Sequence, residues 1–191
     1  MSKALRDYKR QILNEKKSLK HSDRLYMKLP YAFASNPIIN WKYFPSVIFK
    51  YLVRGFISNL PPCKLQVWIL RMMGVRVGNN VGISFGFKID PWFPDLIEIE
   101  DEVIIGENVT LLTHDITWSR VKLGKIIIRA KAMVGANSLI GAGVEIARDS
   151  KIALGSVITT STSPGYLYRD YHAMATNKGT YDPSHKDSRI K

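Results

Sequence analysis

The chain has 191 residues, a single cysteine and a formal net charge of +12. That length suffices for one well-buried core with an appended element. The lone Cys63 excludes an internal disulfide, suits a reducing cytoplasm and reads as a buried, inert thiol. The chain is charged from its third residue, and its best membrane-spanning candidate, 44–60, is interrupted by Lys50 and Arg54 and falls short of the ~20 apolar residues a bilayer needs, so neither a signal peptide nor a transmembrane helix is expected.

The positive charge is concentrated at one end. Through Arg76 there are 15 Lys and Arg against 3 acids, a net of +12, and beyond it the two signs cancel. The apolar pattern changes at the same point. Residues 2–73 read as helical, with Leu5, Tyr8, Ile12 and Leu19 on one face and then Phe44, Val47, Ile48, Tyr51 and Leu52 at helical spacing with Lys50 and Arg54 opposite. Pro61 and Pro62 break this second helix, and a third apolar stretch, 65–73, leads onward. The basic amphipathic helices have three readings. Their apolar face packs on the rest of the chain or on a neighbouring subunit. Alternatively they meet an anionic membrane, with Trp41, Tyr43, Phe44 and Tyr51 as interfacial aromatics, at the inner surface of the cell. Nucleic acid is the third and last-ranked reading, and not an expected partner, because no DNA- or RNA-binding motif accompanies the charge.

From residue 75 a different period takes over. Ile128, Val134, Ile140, Ile146, Ile152 and Ile158 recur every sixth residue, and the fourth residue after each is small or branched: Ala132, Ser138, Val144, Ser150, Ser156 and Thr162. A period of six is neither the 3.6 of a helix nor the two of a strand. It describes a chain that bends at a fixed interval, two inward side chains and then a corner, with small residues such as Gly135, Gly141, Ala147 and Ala153 where the backbone turns. Upstream, Val77 and Ile83 begin two hexads, and a second series starts at Phe93, Ile99, Ile105 and Leu111, with Val81, Phe87, Ile97, Val103 and Val109 as companions. The register slips around Pro91 and Trp92 and is lost again after Leu111, where 117–127, containing Trp118, Arg120, Lys122 and Gly124, reads as an excursion loop. Twelve hexads make about four coils if three close a triangular turn. The expected organisation is a basic helical extension (1–74), a mainly β solenoid (75–165) and a short C-terminal tail (166–191), whose residues after Gly179 are polar and frayed.

A solenoid is a scaffold, so chemistry must come from residues outside the repeat. Of the four histidines only His114 lies within the coils, at a corner beside the excursion loop, where a partly exposed imidazole can accept a proton from a hydroxyl. Asp115 follows it, but adjacent residues on an extended chain point to opposite sides, which favours a corner cap or a partner for loop cations. Cys63 has no histidine near it in sequence, so a thiol nucleophile has little support.

The hexads, the run Asn108, Val109, Thr110, Leu111, Leu112, Thr113, His114, the loop and the strict series from Ile128 together resemble the hexapeptide-repeat acyltransferases, nearest the galactoside, maltose and streptogramin acetyltransferases and the polysaccharide O-acetyltransferases. The likeness covers roughly 71–165. It implies a left-handed parallel β-helix, a homotrimer, and acetyl-CoA as acyl donor in a groove between subunits; handedness comes from the resemblance alone, since crossover preference is right-handed. It implies His114 as the general base, a backbone N–H at Ala136 beside the thioester, and a second CoA-contacting backbone position at Leu154. Met133 stands where family members often have an aromatic, and Thr160 where relatives carry a lysine, so the CoA phosphates would need other cations such as Arg169 or Lys178. An acceptor-positioning polar residue falls at Asp90. Trp92 is a sugar-stacking wall or a buried filler of the slip, and Trp118 of the loop is a third candidate acceptor contact.

The expected function is O-acetyl transfer from acetyl-CoA to a hydroxyl of a sugar or sugar-like acceptor, in the cytoplasm or at the inner membrane surface. A zinc carbonic anhydrase on the same scaffold needs three histidine-type ligands, and the coils have one, so no metal is expected. The remaining alternative is a non-catalytic scaffold presenting the basic helices to a membrane or partner.

Overall fold

The inward aliphatic residues of the hexads stack directly on one another from coil to coil. In this computed structural model, which describes residues 7, 9–10, 26–28, 44–116, 120–169 and 174–176, Val77, Ile99, Ile128 and Ile146 pair in parallel on a first face. Ile83, Ile105, Val134 and Ile152 do so on a second, and Ile89, Leu111, Ile140 and Ile158 on a third. Three faces of four rungs give the four coils of a parallel β-helix. Two-residue strands suffice because each backbone group bonds to the coils above and below rather than along its own strand.

The core is one aliphatic column. Ile105, Leu111, Val134, Ile140 and Ile146 are fully buried, each worth about 1.5–3 kcal/mol relative to exposure. Ser138, Ser150 and Ser156 also point inward, and their hydroxyls donate to the carbonyls of Ala153 and Ser163 at 2.8–3.1 Å, so burying them leaves no polar group unpaired.

Several sequence expectations are corrected. The left-handed corner residue lies three positions after the inward aliphatic, at Asn80, Gly86, Glu102, Asn108, Lys131, Asn137, Gly143, Asp149 and Gly155; glycine, asparagine and aspartate tolerate that conformation best. Gly135 and Gly141 have ordinary φ. Gly135 is small for another reason, since a Cβ there would lie 2.5 Å from the Leu154 amide nitrogen of the next coil. Second, Ile89 and not Phe93 is the twelfth hexad position, and Phe93 is buried outside the column. Third, the excursion starts as a hairpin at His114–Ile116, returns on Arg120–Leu123, and is back in the coil at Ile126–Ile128, so Ile126 and Ile127 belong to a strand rather than a loop. Fourth, Cys63 is exposed, because it sits at the turn that starts a helix rather than inside one.

Two helices precede the coils, α1 (Phe44–Ser58) and α2 (Lys64–Met72). Ile57 and Leu70 anchor them to the end of the column, closing its apolar mouth against water. Upstream, Tyr26–Lys28 is a strand rather than part of a helix; it pairs antiparallel with Arg120–Leu123 and makes the hairpin a three-stranded sheet. Most of the expected first helix, including Leu5, Tyr8, Ile12 and Leu19, lies outside the described residues. At the far end the stack continues past 165. Leu167–Arg169 adds a rung to the second face, with Tyr168 over Ile152, and Met174–Thr176 pairs antiparallel with it.

Candidate active site

Two insertions interrupt the hexads, and both fall at the edge where the third face turns into the first. Ile140 is followed by the next inward residue, Val144, after four positions. Ile89 is followed by Ile97 only after eight, and Leu111 by Ile126 only after fifteen. The first insertion breaks at Asp90 and Pro91 and contains a short 3₁₀ turn, Pro94–Leu96, with proline at its start; the second is the hairpin. Since coil 2 lies on coil 1, the insertions are neighbours, and they bring Asp90 and His114 together.

Asp90 is fully buried. Its Oδ1 accepts from the Trp92 amide at 2.9 Å and its Oδ2 from the Thr113 hydroxyl at 2.6 Å. Nδ1 of His114 bonds to the same Oδ2. Burial by itself pushes this carboxyl up, but the hydrogen bond and charge of His114, the Thr113 hydroxyl and the Trp92 amide outweigh it, and the net direction is down. An ionised Asp90 fixes the proton of neutral His114 on Nδ1, which leaves Nε2 as the nitrogen with a free lone pair. The imidazole side chain is 20% exposed. Phe93 meets it edge-on, with ring centroids 5.8 Å apart and 78° between planes. Lys9 lies 5.8 Å from the Phe93 ring centroid and pairs with Asp95 at 2.7 Å.

Asp90, expected to position an acceptor, is buried with both carboxylate oxygens hydrogen-bonded, one of them to the His114 imidazole. Trp92 is half-buried and donates its ring N–H to the Tyr51 hydroxyl of α1 at 3.3 Å, a position between the wall and the filler that the sequence offered. Asp115 is exposed. Trp118 and Lys178 lie outside the described residues. Thr113, Phe93, Tyr51 and Lys9 were given no place in the site at the sequence level. Thr113 had a local signal, since on an extended segment the neighbour of an outward histidine points inward.

The candidate donor-binding residues occupy different places. Ala136 and Leu154 are stacked at the edge between the second and third faces, where the Gly155 amide donates to the Ala136 carbonyl at 2.7 Å. Neither Ala136 nor Leu154 donates its own amide to any of the described residues. Met133 is exposed on the second face between Ile104 and Lys151. Thr160 is exposed just past the last rung of the third face, on the His114 edge rather than the Ala136 edge. Among the described residues no group of three His, Cys, Asp or Glu is placed to hold a metal ion.

No family model matches the chain. It is 27% identical over 131 residues to the Bacillus subtilis (strain 168) protein named "Putative acetyltransferase YvoF", covering 65% of this chain and 76% of the relative. It is 29% identical over 117 residues to "Putative acetyltransferase SAR0816" of Staphylococcus aureus (strain MRSA252), covering 61% and 73%. In three dimensions it is similar to a hexapeptide-repeat acetyltransferase of Vibrio cholerae solved with acetyl-CoA, with a TM-score of 0.59 at 16% identity over 73% of this chain and 90% of that one. It is also similar to a maltose O-acetyltransferase of Clostridium difficile 630, with a TM-score of 0.54 at 14% identity over 85% and 98%. The resemblance read from the hexads therefore holds in sequence and in fold, and the coil stack is the left-handed parallel β-helix of these proteins.

Proposed function

We propose that this chain is an acetyl-CoA-dependent O-acetyltransferase acting on a hydroxyl of a sugar or sugar-like acceptor, with His114 as general base. The observation that carries the reading is the Asp90–His114 pair at the one edge where the repeat is interrupted, on a fold shared with acetyltransferases. Asp90 holds the ring so that Nε2 can take the acceptor proton. The freed oxygen attacks the thioester carbonyl, a backbone N–H at Ala136 stabilises the charge that develops there, and the proton held on Nε2 passes to the departing CoA sulfur. One ester bond forms, one thioester bond breaks, and no covalent enzyme intermediate is needed.

The reading also requires more than one copy. His114 and Ala136 stand on edges separated by the width of the third face, roughly 15–20 Å for a six-residue side. A base must lie within about 3 Å of the proton it removes, so one chain's His114 cannot serve a thioester held at its own Ala136. A homotrimer, in which each His114 edge faces the Ala136 edge of a neighbour, resolves this.

Two measurements test the proposal. Acetyl-CoA or CoA at a hundredfold excess over Kd should stabilise the native state by about 2.7 kcal/mol. A screen of hydroxyl acceptors read by thiol release should then find turnover, with amino-sugar acceptors as the comparison that separates O- from N-transfer. Absence of any thermal shift at millimolar CoA would leave the scaffold reading in its place.

A further inference from the structure

Both helices ahead of the coils turn their polar expectation inside out. On α1, Phe49, Leu52 and Phe56 recur at i, i+3 and i+7 and face solvent, with Phe49 66% and Leu52 67% exposed; on α2, Leu65, Trp68 and Met72 repeat that spacing, with Met72 70% exposed. The opposite faces are already satisfied by the core through Ile57 and Leu70. Each helix therefore carries two apolar stripes, and only one of them has a partner.

The charge beside the outer stripes identifies what would cover them. The helices hold Lys50, Arg54, Lys64 and Arg71 and no carboxylate, and the whole stretch 24–89 has nine Lys and Arg without a single acid. A second copy docked through the same stripes would set like charges against like. An anionic surface with an apolar interior matches both features at once. Neither helix is long and apolar enough to cross a membrane, and Lys50 and Arg54 interrupt α1, so the helices would lie along the interface rather than span it.

We propose that the Phe49–Leu52–Phe56 and Leu65–Trp68–Met72 stripes seat the protein on an anionic lipid bilayer. The same helix reaches the candidate catalytic pair, since Tyr51 accepts the Trp92 ring N–H and the Trp92 amide bonds to Asp90. Docking of α1 therefore holds His114 close to the bilayer, and the acceptor is a hydroxyl displayed at that surface; this last step rests on the acetyltransferase reading, whereas the docking does not.

The test is flotation of the full chain with phosphatidylcholine vesicles made with and without phosphatidylglycerol. Partition should be about tenfold or more stronger on the anionic vesicles and weaken in high salt. The exposed triple variant Leu52→Ser, Phe56→Ser, Trp68→Ser should lose flotation while keeping the oligomeric mass and the CoA-induced thermal shift of the unmodified chain. No flotation of the unmodified chain, or undiminished flotation of the variant, overturns the proposal. A changed oligomeric mass in the variant also overturns it, because the stripes would then be a subunit interface. Flotation without any CoA shift would support the docking and remove only the acceptor assignment.

Discussion

The carboxylate of Asp90 and the imidazole of His114, 24 residues apart in sequence, are bonded through Oδ2 and Nδ1 because two insertions of unequal length open at the same edge of adjacent coils. The ring nitrogen Nδ1 is thereby tied to a buried carboxylate, the orientation that the proposed general base requires.

His114→Ala should lower kcat by roughly 100- to 10,000-fold with CoA binding retained. Asp90→Asn should cost about as much, because an amide in place of the carboxylate can donate to Nδ1 and so favour the tautomer with its proton on Nε2. Steady-state kinetics, with the CoA thermal shift as the folding control, checks both. Unmodified turnover in His114→Ala would end the assignment.

Acid should weaken the fold through the same carboxylate. Its folded pKa lies below the ordinary 3.8, so Asp90 contributes stability that is complete above about that pH and is lost as pH falls through the folded value. Denaturant unfolding of the unmodified chain and of Asp90→Asn should accordingly show a gap at pH 7 that narrows as the pH drops below 4. A gap that stays constant to pH 2 would mean that His114, Thr113 and Trp92 do not hold the ionised form.

Two glycines separate steric from dihedral constraint. A Cβ on Gly135 would meet the next coil's backbone at 2.5 Å, whereas one on Gly155 would meet nothing within 4 Å, but Gly155 has φ +71°. Gly155→Ala should cost about 1–2 kcal/mol from backbone conformation alone. Gly135→Ala should cost more, about 3 kcal/mol, because coils cannot part locally without losing rungs. Gly55→Ala, on an exposed helix with open space, should be neutral or stabilise by about 0.5–1 kcal/mol. Thermal unfolding of the three variants ranks them directly.

If the cleft joins two copies, defects on opposite edges complement. His114→Ala and Ala136→Pro, each inactive alone, should recover about a quarter of full activity when mixed one to one and reassembled, since a quarter of the edge pairs then combine an intact imidazole with an intact amide. Persistently inactive mixtures, with mixed oligomers confirmed by mass, would place the whole site within one chain.

Much of the coil stack was legible because its rule is local. Each inward aliphatic must recur at the interval of one side, so period six, three sides and twelve hexads could be counted along the chain. Where the count went wrong, at Phe93 against Ile89, the inserted residues were themselves apolar and periodicity has no means of telling a column residue from one buried beside it. His114 stood out as the one histidine in the coils. Phe93 and Tyr51 did not stand out as site residues, since nothing in their spacing carries the lateral contacts that bring them to this edge.

The amino-acid order alone thus determined the β-helix, its coil number and the edge on which chemistry could sit, because hydrophobic burial in a repeating fold depends only on near neighbours in the chain. The tertiary structure decided what stands beside what across that edge. It bonded Asp90 to the imidazole, put Ala136 a full face away from His114, and left two apolar stripes on α1 and α2 facing outward. Those relationships arise from stacking one coil on another, where the lengths of two insertions, rather than any residue pattern, set which side chains meet.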